Sequence, residues 1–495
     1  MRLAYLIMVV PLLAGTLADS VEAKSFEQLS YELHVDPYVD VRPDLERLVA
    51  LGDTRAQRLL GDIIAERDPG AALRVIELYR QSFAEGQGQI AALAAMARYI
   101  GQRPRLKDGY EVEVAQSLTM FPHERDPITV LTALEVFSIY PGMFDEARIE
   151  RLITLYKRAC IERCVPALYQ ATLEKKRGNM ELAETLYRQA AMQDVRAFLP
   201  LHQIFGSNAP DMMRVFAREA SSRIDEIPVD VVHRFGLELT NIRNALASEW
   251  IYQRQTVIGE VEIPDEEQIA AAEEAQRQQD AMIDEIDGEL LVWLDNAVAR
   301  GFTPAMSTKA SFMMAANNRF GSDAVEPLLQ LLESTEASRS DLPHGSYLER
   351  VLPHRIKALR ARFYMTSWLT INPARAHELI LELIADGHED ARLMEGDLYS
   401  RGLLDEPDQA RALQIYQTMA DRSWASAHLR IARLNAYGRA MRGDLVLAYS
   451  HAITAMELGD VRAEGLVKFL EQSLSLGQLG SGREMAEYNL RNITR

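Results

Sequence analysis

Residues Ala391–Gly402 read ARLMEGDLYSRG, and 36 positions later Ala427–Gly438 read AHLRIARLNAYG. Laid over one another, the two stretches match Ala391 with Ala427, Leu393 with Leu429, Gly396 with Ala432, Leu398 with Leu434 and Gly402 with Gly438. Each reads as one helix that ends at a glycine able to take the left-handed conformation of a C-terminal cap. Working outward, the period of 36 holds in three columns of small residues: Gly387/Ser423/Gly459, Ala391/Ala427/Ala463 and Ala376/Ala412/Ala448. A fixed period of this length is the mark of a repeat array. Small residues belong where antiparallel helices cross, and the larger Leu393, Leu398, Leu429 and Leu434 fill the layer between them. Alanine-rich helices match one another by chance because alanine is the best helix former. Three columns kept through two successive shifts argue against that explanation.

The same corner recurs upstream as Gly52/Ala56 and Gly301/Ala305, and more loosely as Arg163/Ala167 and Gln193/Ala197. Ala167 is followed eleven positions on by Gly178, and Ala50-Leu51-Gly52 lies over Ala84-Glu85-Gly86 at a spacing of 34. A helix pair of this kind cannot bury its apolar face alone and must stack on its neighbours. The sequence therefore predicts an all-α solenoid of helix-turn-helix repeats from about residue 45 to about residue 480. Two segments interrupt it. TVIGEVEIP (256–264) is β-branched and extended in character, and the acidic, alanine-rich stretch 265–285 after it has helical spacing, read as a solvated helix behind a long loop, with a mobile arm for a partner as the alternative. Ser, Asp, Pro and Gly cluster again at 334–346. The expected organisation is an N-terminal array over 24–254, an acidic interruption or linker helix over 255–290, a C-terminal array over 291–482 and a tail over 483–495.

At 495 residues, 48% hydrophobic and 25% charged, the chain can bury a sizeable core. Lys and Arg number 54 against 72 Asp and Glu, a net charge of −18 with no basic run, which argues against nucleic acid or an anionic lipid surface as partner. Residues 1–23 read as a secretory signal: Arg2, an apolar stretch from Leu3 to Leu17, then Val21-Glu22-Ala23 with small residues three and one before a cleavage point. The apolar run is shorter than the ~20 residues a spanning helix needs. The first cysteine is Cys160, so no lipid-modified cysteine is available near that point and no direct lipid anchor is expected.

No catalytic motif stands out: H-E-x-x-H, G-x-S-x-G, a Walker loop and G-x-G-x-x-G do not occur. Pairs such as His344 and His354 have no matching ligand cluster. The chain is read as a non-enzyme with no cofactor and no metal. Its two cysteines, Cys160 and Cys164, exclude a four-cysteine zinc site. The repeat register sets Cys160 at the end of one helix and Cys164 at the start of the next. Across that turn a disulfide is feasible, and export to an oxidising compartment favours it.

The pattern Ala-x-Leu-x-x-small-x-Leu-x-x-x-Gly, followed by a helix and a small corner, resembles Sel1-type repeats, longer relatives of tetratricopeptide repeats. More narrowly, Tyr156–Glu184 (YKRACIERCVPALYQATLEKKRGNMELAE), Ala50–Ala65 (ALGDTRAQRLLGDIIA) and the C-terminal repeats resemble the AlgK family of alginate-export scaffolds. That resemblance implies a right-handed superhelical solenoid in the periplasm, peripheral to the outer membrane. It also implies partners among the proteins of alginate export: the outer-membrane porin and the alginate acetyltransferase or epimerase. Members of that family are typically lipoproteins, and the missing cysteine departs from their pattern. Alginate is a polyuronate, which a chain at −18 repels, so a scaffold binding proteins fits better than a polymer channel. Candidate partner-binding residues are the outward positions of two matching helices: Arg392, Glu395 and Asp397 on the first, His428, Ile431 and Arg433 on the second. The competing reading is a Sel1-type adaptor in an envelope signalling or protein-quality pathway, because one repeat fold serves unrelated functions.

Overall fold

Alternating helices joined by tight corners form the whole of the computed structural model, which describes residues 24–35, 39–68, 70–84, 90–101, 103–119, 126–159, 164–259, 266–315, 325–338, 347–366, 371–437 and 443–493. From the N-terminus come α1 (Phe26–Val35), α2 (Arg42–Ala50), α3 (Thr54–Arg67), α4 (Ala72–Ala84), α5 (Ile90–Gly101), α6 (Pro104–Thr119), α7 (Pro127–Ile139) and α8 (Glu146–Ala159). Then follow α9 (Pro166–Lys176), α10 (Met180–Ala191), α11 (Phe198–Phe205), α12 (Ala209–Ser221), α13 (Val229–Gly259), α14 (Glu266–Ala299), α15 (Thr303–Ala315) and α16 (Val325–Ala337). The last are α17 (Tyr347–Thr366), α18 (Pro373–Ala385), α19 (Ala391–Arg401), α20 (Gln409–Ala420), α21 (Ala425–Tyr437), α22 (Leu445–Glu457), α23 (Glu464–Ser473) and α24 (Leu476–Ile493). Consecutive helices pack on one another along the chain, as α3 on α4, α9 on α10, α19 on α20 and α21 on α22. The all-α helix-pair stack is the architecture expected from the period.

The small columns do what their size suggests. Ala376, Ala412, Ala448, Ala391, Ala427 and Ala463 are all buried, as are Leu393, Leu398, Leu429 and Leu434. Gly387, Ser423 and Gly459 turn each corner with φ of 82°, 67° and 97°, and Gly52, Gly178 and Gly301 do the same upstream. A side chain in this region costs roughly 1 kcal/mol, so Ser423 is the strained member of its column. Gly402 caps α19 in the left-handed conformation; Gly438 lies outside the described residues.

A second device ties the two helices of a repeat together. In α19, Gly396 lets the ring of Tyr416 from α20 lie against the backbone, and the neighbouring Asp397 accepts the tyrosine hydroxyl at 2.7 Å. At the other end of the chain Gly61 and Asp62 receive Tyr79 in the same manner, at 2.8 Å. In the middle Thr172 stands at the glycine's place and hydrogen-bonds Tyr187 at 2.8 Å. Corners are also built alike: Asp53, Asp194 and Asp460 each accept the backbone N–H two residues on and pair with that residue's guanidinium, on Arg55, Arg196 and Arg462.

The middle departs from expectation. The stretch beginning at Thr256 is not extended, since α13 continues as helix through Gly259; residues 260–265 lie outside the described set. The acidic segment is helix with an exposed surface, as its spacing indicated. It forms the first half of α14, which packs along α13 and buries Ile286, Leu290, Trp293 and Leu294 beyond the exposed acidic part. Trp293 stacks on Phe235 with ring centres 4.4 Å apart, and Arg243 meets Asp287 between the two helices at 3.0 Å. The expected tail is likewise helix: α24 runs to Ile493 and buries Ala486 and Leu490. Of the break at 334–346, α16 covers residues to Ala337, and 339–346 are not among those described, nor is the signal segment 1–23.

Contacts also join distant repeats. Arg422, in the corner after α20, reaches Asp68 at 2.5 Å and Glu389 at 3.0 Å, while Arg42 lies against Gly387. The first repeats thus rest on the repeats around α18–α21.

Candidate functional site

The first helices of the C-terminal repeats carry a row of charge. Asp397 of α19 takes both forks of Arg430 from α21 at 2.8 Å each, besides the hydroxyl of Tyr416. Burial works against the guanidinium of Arg430, and the carboxylate of Asp397 more than offsets it, so the pKa lies above its ordinary value. Asp460 is held below the usual carboxylate range, where its bond to Arg462 overcomes the cost of burial. Glu389 is shared between Arg392 and Arg422.

The six residues expected to face outward divide. Ile431 is 1% exposed and His428 3%, so both sit in the core. His428 is covered by His451 of α22, and Ile431 sits in a core cluster with Leu393, Ala412 and Tyr416. His428 meets His451 of α22 with Nδ1 to Nδ1 at 2.8 Å, and burial pushes both imidazoles down, His428 to about 4 and His451 to about 3. Asp397 is committed to Arg430 and Tyr416. Arg433 is exposed, and Arg392 and Glu395 are half-buried. Of the cysteine pair, Cys160 lies outside the described residues; Cys164, just ahead of α9, is disulfide-bonded.

Sequence reading missed the site that the folding-back creates. Where α1 and α3 approach α15, α17, α18 and α19, a cavity of about 290 Å³ opens. Leu33 and Ile63 line it from the N-terminal side, and Leu383 and Met394 from the C-terminal side. Arg355, Arg362, His354 and His388 supply its nitrogen groups, with Glu66 and Asp390 as its carboxylates. The rings of His354 and His388 lie 3.5 Å apart between centres, tilted by 39°. Arg362 and Asp390 are both exposed by surface area, with protein crowded around the cavity they face. Burial therefore lowers the pKa of Arg362, helped by the charges of Arg430 and Arg462, and raises that of Asp390, with Arg362 pulling the other way. The signal in the sequence is faint: Arg355 and Arg362 are seven apart and share a helix face, but the opposing wall is some 300 residues away. Among the described residues, no group of three or more His, Cys, Asp or Glu is placed to hold a metal, and no helix is long and apolar enough to cross a membrane.

No family model and no curated protein matches the chain. Among solved structures it is similar to a protective antigen of uropathogenic Escherichia coli that displays an SLR fold, at 12% identity over 91% of this chain and 95% of that one, with a TM-score of 0.26. It is also similar to a Sel1 repeat protein from Oxalobacter formigenes, at 15% identity over 81% of this chain and 93% of that one, with a TM-score of 0.29.

Proposed function

We propose that this chain is a non-enzymatic, Sel1-like scaffold that helps assemble an alginate secretion complex in the periplasm, linking the outer-membrane porin to polymer-modifying proteins. The observation that carries the scaffold reading is the stack itself. Helix pairs follow one another from the first described residues to the last and present surface to partners along the whole array, as binding solenoids do. Of the expected partner surface, Arg433 is exposed and Arg392 and Glu395 are half-buried, Arg392 while paired to Glu389. The alginate assignment is supported by the resemblance of Ala50–Ala65, Tyr156–Glu184 and the C-terminal repeats to the AlgK family. A net charge of −18 favours protein partners over the polyuronate itself.

The test is to measure uronic-acid polymer in the medium and in the periplasm of the source bacterium with and without this gene. Loss of secreted polymer, with polymer or its fragments trapped inside, is the expected result. Unchanged secretion would remove alginate from the reading and leave an envelope adaptor of the same fold.

A further inference from the structure

Two opposite charges face the junction cavity without meeting. The guanidinium of Arg362 makes no hydrogen bond and no ion pair among the described residues. Among the described residues Asp390 has no cation within ion-pair distance, and although it precedes α19 its side chain does not cap that helix. The two feel one another electrostatically, so they are near but not joined. All around them such pairs are made: Asp397 with Arg430, Asp460 with Arg462, Glu389 with Arg392 and Arg422. Both side chains are open to solvent at the cavity and each lacks a counter-charge at hydrogen-bond distance among the described residues, so a ligand carrying both complementary charges can satisfy both at once.

Size and lining narrow the ligand. An apolar cavity of about 150 Å³ takes up benzene, so the ~290 Å³ here accommodates a body of amino-acid size. Leu33, Ile63, Leu383 and Met394 give an apolar wall beside the charges. A phosphate would bring two negative charges towards Asp390 and Glu66, and a neutral sugar would leave both Arg362 and Asp390 unmatched. We infer that the cavity binds a zwitterionic α-amino acid with an apolar side chain. Its carboxylate lies on Arg362 in the forked geometry that guanidinium favours, its ammonium on Asp390, and its side chain against the apolar wall. This goes beyond the scaffold reading and does not depend on it.

Calorimetric titration of the full chain with L-phenylalanine and L-leucine tests the idea, with two single-charge probes beside them. N-acetyl-L-phenylalanine lacks the ammonium and L-phenylalaninamide lacks the carboxylate. The zwitterions should bind saturably at one site per chain, and each single-charge probe about tenfold more weakly or less. Arg362→Gln should weaken L-phenylalanine about tenfold and leave the amide unchanged. Asp390→Asn should do the reverse, weakening L-phenylalanine while sparing the N-acetyl compound. If a variant unfolds, the probe series on the unaltered chain decides alone. No saturable binding of either zwitterion, single-charge probes that bind as well as the zwitterion, or binding untouched by both substitutions overturns the assignment.

Discussion

Lowering the pH from about 7.5 to about 5 should loosen the repeats around α21 and α22. His428 and His451 share one hydrogen bond in the core, and His233 makes a second buried contact to Thr308 at 2.8 Å. Burial lowers His233 and His428 from 6.5 to about 4 and His451 to about 3, with Arg355 acting further on His233 and His428 on His451. The folded state thus holds these rings neutral where the unfolded chain takes up protons. Their contribution is fully present above the unfolded value of 6.5 and is lost as pH falls towards the folded values. A drop to about 4 is worth about 3 kcal/mol per ring, of which about 2 is gone by pH ~5. Protonating the ring that accepts removes the shared bond, and the two rings together lose about 4 kcal/mol by pH ~5, a large part of a typical stability. Hydrogen exchange of α21 and α22 amides at the two pH values, corrected for intrinsic rates, reads the local opening energy. The variant carrying both His428→Leu and His451→Leu should lose about 4 kcal/mol of that pH dependence, since an apolar pair of similar volume has nothing to protonate. Protection that shifts by less than about 1 kcal/mol in the unaltered chain, or a double variant with the full dependence, would refute the reasoning.

Two predictions concern the repeat devices. Gly396→Ala should destabilise by about 1 to 2 kcal/mol in urea melts, although alanine is the better helix former by about 1 kcal/mol, because the added Cβ would meet the buried ring of Tyr416. Gly61→Ala, whose Cβ would approach Tyr79 only to 3.0 Å, should cost less. Ser423→Gly should raise stability by about 0.5 to 1 kcal/mol, because it relieves a left-handed residue in a column that glycine otherwise occupies; a lowered denaturation midpoint would show that Ser423 makes a compensating contact.

Much of the fold was legible because a repeat imposes one local requirement many times. A small residue at a helix crossing and a left-handed corner leave the same mark each time, so Ala391/Ala427/Ala463 and Gly387/Ser423/Gly459 stand out by period alone. The aspartate corners at Asp53, Asp194 and Asp460 and the Gly-Asp steps at Gly61 and Gly396 were equally local, and columns of polar residues would have disclosed them. Burial was not legible at His428 and Ile431. A surface position in one repeat becomes core in the next when neighbouring helices close over it, and that depends on packing rather than on register. The stretch from Thr256 misled because β-branched composition speaks for extended structure, whereas the long helix that starts at Val229 carries on through Gly259.

Helix periodicity, crossing columns and corner glycines are properties of neighbours in the chain, so the sequence by itself determined that this protein is an all-α stack of helix pairs. How the first repeats come to rest on those near Arg422 was decided only by tertiary structure, because small angular increments at each repeat add up over some 350 residues and leave no periodic trace. The cavity between Arg362 and Asp390 and the wall from Leu33 and Ile63 is a product of that sum. It joins residues whose only relation is the path the chain has taken.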